Sequence, residues 1–326
     1  MTAGVRDVGV GAPQSFGSAL KESTRGDLTM LGIVLFFYLA ATAILVVSWT
    51  SGNVGLQMQL AGGGVTVLYF VCIWHSARIR GARATVAFFV LAAAISFFAE
   101  YMGDNHGWFF GEYQYTGTLG PRIGGVPPLV ICSWSVVLYS SFMLVDWLLG
   151  VGGERRGRTW AGRIGWSALV ALATAIIVCA WDLMADPMSV SGLWMTVLGW
   201  EPFWWWTGGS YLPELAVWKG SGGVPISNFV GWVEVPFIIV FVFTLFFERR
   251  HRVSGRLVNA VPWLIYGYLY YTLLGALLEM SWLDPGIEQA ALIGTFTMGP
   301  VIVLGAVKFF KDHSAPAASR PAGDVE

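Results

Sequence analysis

Glu100 and Asp104 stand four residues apart, and so do Asp182 and Asp186. On a helix that spacing sets both carboxylates of a pair on one side, one turn apart. Glu100 and Asp182 each directly follow an apolar run, so the carboxyls belong to the edge of a poorly solvated region. Crowded, desolvated carboxyls resist losing their last proton. A neutral carboxylic acid beside an ionised or hydrogen-bonded partner is a general acid. Each pair is expected to point into one shared cavity. Glu234, two residues before Pro236, is a candidate pocket residue, and Glu279 lies near the end of a further apolar run. His106 is a candidate for proton relay or substrate positioning. No second His or Cys stands at ligand spacing from it, so no metal site is expected. Glu112, Glu201, Glu214, Asp284, Glu288 and Asp146 read as solvated end residues.

The elements that carry these acids are apolar and long. Of 326 residues, 56% are hydrophobic and 12% charged, and mean hydropathy is +0.63. Soluble domains carry about 25% charged residues, so the chain reads as an all-α polytopic membrane protein. The net charge of -1 gives no reason to expect a nucleic-acid partner. Eight runs are long enough to span: Leu28–Trp49, Val54–Trp74, Ala84–Tyr101, Val126–Leu149, Arg163–Trp181, Phe229–Phe247, Asn259–Met280 and Gln289–Phe310. The second is interrupted by Gly62, Gly63 and Gly64. With this division 17 of the 19 Lys and Arg residues fall on one side, and only Arg122 and Lys219 on the other. The positive-inside rule then places both termini in the cytoplasm and the acids at the outer face; the protein is expected to be multi-pass in a bacterial or archaeal cell membrane. Residues 1–27 lack an apolar core and read as a cytoplasmic tail, not a cleaved signal peptide. Residues 28–311 form a single transmembrane domain, and the Ala- and Pro-rich 312–326 a disordered cytoplasmic tail. Cys72, Cys132 and Cys179 lie in apolar runs and read as packing residues.

Two hairpins look alike. Gly124-Gly125-Val126-Pro127 is followed by Trp134, seven residues after its proline, and Gly222-Gly223-Val224-Pro225 by Trp232 at the same interval. Each lies downstream of an acid pair spaced by four. Spans 3–4 and 5–6 therefore read as a parallel internal repeat, whose interface is a natural place for a substrate. The outer loops Met102–Gly125 and Leu183–Asn228 are long and aromatic. Trp200, Trp204, Trp205 and Trp206 suit either an interfacial belt or the wall of a site for a large apolar ligand.

The motif Glu100-Tyr101-Met102-Gly103-Asp104, then Phe110-Gly111-Glu112-Tyr113-Gln114-Tyr115, then Gly125-Val126-Pro127 and Trp134, resembles the carotenoid biosynthesis protein family that includes the CruF-type carotenoid 1,2-hydratases. Asp182-Leu183-Met184-Ala185-Asp186-Pro187, Gly223-Val224-Pro225 and Asn228-Phe229-Val230-Gly231-Trp232 resemble the second half of that pattern. The resemblance implies addition of water to the terminal 1,2 double bond of an acyclic carotenoid such as γ-carotene or bisanhydrobacterioruberin. It brings Tyr113, Tyr115, Trp134, Asn228 and Trp232 into the candidate site. The implied partners are a lipophilic carotenoid, water, the bilayer and other carotenoid-pathway enzymes, and no cofactor is required. Asp182 or Glu100 is expected to protonate the alkene while a second carboxylate activates water, with aromatic rings steadying the cation. Two other readings compete. Paired acid motifs also suit Mg²⁺ and diphosphate in a UbiA-like prenyltransferase, although the acid face has few basic residues. A transporter or carotenoid-binding protein would use the acids as a cation or proton site.

Overall fold

A computed structural model of the chain describes residues 23–53, 56–149, 159–215, 223–247 and 256–314. Most of both tails, Gly222 of the repeat, and Arg155, Arg156, Arg158, Lys219, Arg249, Arg250 and Arg252 of the charge pattern lie outside the described residues.

Helices occupy every expected span. They are α1 (Arg25–Ser51), α2 (Leu56–Arg80), α3 (Ala82–His106), α4 (Pro128–Leu149), α5 (Trp160–Val190), the short α6 (Leu193–Leu198), α7 (Ile226–Val242), α8 (Arg256–Ser281), α9 (Pro285–Thr297) and α10 (Gly299–Ser314). α7 runs on into a π-helical turn, Phe243–Phe247. Among the described residues, seven stretches are long and apolar enough to cross a membrane: α1, α3, α4, α5, α7 with its π turn, α8, and α9 with α10 as one unit. The 25-residue α2 is not among these seven, and it carries Gln57, Gln59 and three glycines. Pro300 stands at the junction of α9 and α10. A proline there has no N–H to bond the carbonyl four residues back, and the helix is interrupted at Met298.

The chain turns its apolar surface outward as well as inward. Phe36, Phe70, Val86, Phe98, Ile176 and Phe296 are exposed on the helix faces, as lipid contact requires. α4, α5, α7 and α8 form the centre, with α5 against α7 and α4 against α5 and α8. α1 packs at the periphery on α2 and α8. Its capping box joins Thr24 and Asp27, and Asp27 also accepts from Arg78 Nε at 3.0 Å, which ties the start of α1 to the end of α2.

Buried polar groups are matched across long sequence distances. Asp146, expected to be solvated, is 6% exposed and pairs with Arg80 Nη2 at 2.9 Å, because α2 delivers that guanidinium against α4. Asp284, also expected to be solvated, is buried as the N-cap of α9, accepting from Gly286 N at 2.9 Å. α5 extends beyond its expected end at Trp181, so Asp186-Pro187 is not a turn but lies within the helix. Pro187 removes the N–H that would bond Leu183 O. Tyr211 Oη donates to that carbonyl instead, at 2.9 Å. Pro262 in α8 frees Val258 O in the same way, and His75 Nε2 lies 2.9 Å from it. Where no water reaches, such carbonyls need a donor.

Tyr211→Phe is expected to lower stability by about 1–3 kcal/mol, the usual cost of orphaning a buried acceptor. The loss should shrink in a Pro187→Ala background, where residue 187 again offers an N–H. Thermal unfolding of the four proteins in detergent measures both effects, and equal losses in the two backgrounds would refute the account.

Candidate active site

Two three-residue strands organise the site. β1 (Tyr113–Tyr115) and β2 (Trp204–Trp206) come from the two long aromatic loops and pair antiparallel, with Tyr113 opposite Trp206 and Tyr115 opposite Trp204. Side chains alternate along a strand. Tyr113, Tyr115, Trp204 and Trp206 line a cavity of about 590 Å³, while Gln114 and Trp205 line a smaller polar one. The strand pair is thus a partition folded across the ends of α3 and α5.

α3 presents Glu100 to the large cavity. Its carboxylate collects three donors: Tyr113 Oη, Tyr115 Oη at 2.5 Å, and Trp134 Nε1 at 2.6 Å on the other oxygen. Burial, with Glu100 alongside, pushes both phenols well above their ordinary range. They therefore remain protonated donors. Gly103 allows this contact, since a Cβ there would stand 2.5 Å from the Tyr113 ring.

Across the cavity α5 presents Asp182 and Asp186, both 1% exposed. Asn228, at the start of α7, bridges them: Nδ2 donates to Asp182 Oδ2 at 2.9 Å and to Asp186 Oδ2. Trp204 Nε1 donates to Asp186 Oδ1 at 3.1 Å. Asp182 Oδ1 is buried with no hydrogen-bond partner. Between the two acid groups Trp134 and Trp232 stack face to face, 3.9 Å apart and 4° from parallel, and Trp181 packs on Trp232 at 5.6 Å.

The candidate residues separate here. Glu100, Asp182, Asp186, Tyr113, Tyr115, Trp134, Asn228 and Trp232 all line the large cavity. Asp104 does not, which corrects the expectation that both acids of each pair point inward. It accepts from Tyr115 N at 3.1 Å and lines the smaller pocket with His106 and Glu112. Gly125, at φ +93°, packs its backbone against the Asp104 carboxylate, where a Cβ would collide with Oδ2. His106 is exposed, so it is not beside the acids of the large cavity. Glu234 lies on an exposed face of α7, away from the cavity it was expected to line. Glu279 is buried in α8 but is not a lining residue. Trp200, Trp204 and Trp206, expected as either belt or site wall, line the large cavity, and Trp181 and Phe110 join them without having been singled out as site residues. The alternation of Trp204 and Trp206 was the available signal, but three residues are too few to distinguish a strand from a loop.

The model of the carotenoid biosynthesis protein family matches residues 54–302, most of the chain. The chain belongs to this family. It is also 28% identical over 205 residues to a bisanhydrobacterioruberin hydratase of Haloarcula japonica, an alignment covering 61% of this chain and 58% of that relative. No solved structure matches. The family match begins just before α2 and takes in both strands and all three cavity carboxyls.

Gly103→Ala is expected to push the Tyr113 ring off α3 and to cost about 1–3 kcal/mol, as overpacking does. Gly117→Ala, whose Cβ meets nothing within 4 Å, should leave unfolding unchanged. Thermal melts of the two variants test the contact, and matching melts would remove it.

Proposed function

We propose that this protein adds water across the terminal 1,2 double bond of an acyclic carotenoid end group. The carrying observation is the placement of three buried carboxyls around stacked indoles in one apolar chamber. The family and the hydratase named among its relatives support the same reading.

The roles follow from the hydrogen bonds. Two carboxyls crowded on one amide cannot both carry charge in an apolar site. The Asp182–Asp186 pair holds one proton, presented from the unpartnered Asp182 Oδ1. That proton passes to the second carbon of the alkene, and the π electrons form the new C–H bond. The first carbon becomes a tertiary cation, faced by the Trp134 and Trp232 rings. Glu100 is ionised. A carboxylate has about four acceptor sites and three are taken, so the last holds the attacking water. As the oxygen bonds to the first carbon, Glu100 takes its proton, leaving a tertiary alcohol. The proton then leaves for water, and the aspartate pair is recharged from it.

Diphosphate handling is less well served. Among the described residues, no Lys or Arg lines the cavity, so a prenyl diphosphate would find no counter-charge. We place the acid ends outside, with residues 28–311 acting as one membrane-embedded unit. Arg78, Arg80, Arg163, Arg256, Lys308 and Lys311 lie toward the opposite helix ends. Tags at both termini should be shielded from external protease in intact cells, and cleavage there would reverse the orientation.

Expression in a host that makes lycopene or γ-carotene should yield products heavier by one water. Asp182→Asn and Glu100→Gln should each lower turnover by about 10²–10⁴-fold, the range for lost acid or base catalysis, at unchanged protein level. Full activity in both variants would remove the assignment, and no hydrated product from any acyclic-ended carotenoid would remove the reaction.

A further inference from the structure

The large cavity does not stop at the carboxyls. It continues to an apolar wall of Phe37, Ala40 and Ile44 on α1, Gly64 and Val65 on α2, and Tyr268 on α8. Phe37, Ala40, Ile44, Val65 and Tyr268 are partly exposed, while Gly64 and the neighbouring lining residues Ala41, Leu269 and Leu273 are buried. Neighbouring residues face outward, Phe36 and Leu39 at 63% and 71% exposure. Ala40 precedes the acid-side end of α1, Ser51, by 11 residues. At about 1.5 Å per residue that is about 16 Å, roughly half-way through a hydrocarbon core of about 30 Å. The cavity's other extension, by Thr118 and Gly120, reaches the outer loop and the aqueous side.

A polyene is rigid and apolar. With its end group at Glu100 and Asp182, the rest of the chain has to leave the chamber, and the direction that keeps it out of water is toward mid-membrane. Gly64 stands in that path. A Cβ there would lie 3.3 Å from the Phe37 ring and 3.8 Å from Tyr268 Oη, so a larger side chain would fill the gap between two lining residues.

We infer that the gap between α1, α2 and α8 is a side entrance from the bilayer through which the substrate's polyene chain lies, with Gly64 setting its clearance. The inference rests on the hydratase reading for the identity of the substrate, but binding of a long polyene tests it without turnover. Gly63, one position away, is exposed, and a Cβ there meets nothing within 4 Å.

The experiment uses the full-length protein in nanodiscs. Lycopene binding is followed by quenching of Trp fluorescence, and turnover is followed on lycopene and on a short acyclic isoprenoid with the same terminal alkene. Gly64→Phe and Ala40→Trp should weaken lycopene binding and lower lycopene turnover at least about tenfold, about 1.4 kcal/mol. Turnover of the short substrate should stay within about twofold, which also shows that the variants fold. Gly63→Phe should match wild type throughout. Unchanged lycopene binding in both entrance variants, or equal loss on long and short substrates, would overturn the entrance. A wild type that binds lycopene but hydrates nothing, with binding still weakened by Gly64→Phe, would retain the entrance and discard the hydratase reading. A wild type that binds no polyene would discard the entrance.

Discussion

A carboxyl held among apolar side chains must be met by hydrogen-bond donors or it will not stay there. Glu100, Asp182 and Asp186 are almost fully buried, and the half of the molecule that holds them is arranged around that demand. Two tyrosines, two indoles and one amide supply the donors. They come from four places: β1, α4, β2 and the start of α7. The long loops are folded inward because the acids need what they carry. The same donors leave the acids unequal, with Glu100 saturated on three sides and Asp182 retaining a bare oxygen.

The rule extends to the backbone. Pro187 and Pro262 each free a carbonyl inside a central helix, and each carbonyl is met by a side chain from a distant segment, Tyr211 or His75. Arg80 meets Asp146 at the helix ends opposite the three cavity carboxyls. These contacts tie α2 to α8 and to α4, and the long loop before α7 to α5.

An apolar chamber within a membrane domain suits a substrate that dissolves only in lipid. Protonating an unactivated alkene makes a cation that water would quench at random. Here the aromatic wall lines the cavity that holds the three carboxyls, and the polar pocket with Asp104 and His106 lies behind the strand partition. Tyr113 borders both spaces.

Span positions, the four-residue spacing of the acids and the family motifs were all legible in the sequence. Each depends on residues close together in the chain: a run of about 20 apolar residues is a membrane helix almost wherever it packs. What a helix turns toward its neighbours is a different matter. Glu100 and Asp104 share a helix face, yet Glu100 enters the cavity while Asp104 binds the Tyr115 backbone. That split depends on β1 crossing the end of α3 and pairing with a strand about ninety residues away. Glu234 faces outward because α7 is rotated to bury Asn228 and Trp232. The sequence alone determined that paired acids would sit at one edge of a helical membrane domain. Tertiary structure decided which acids meet, because helix rotation and strand pairing are set by contacts between distant segments.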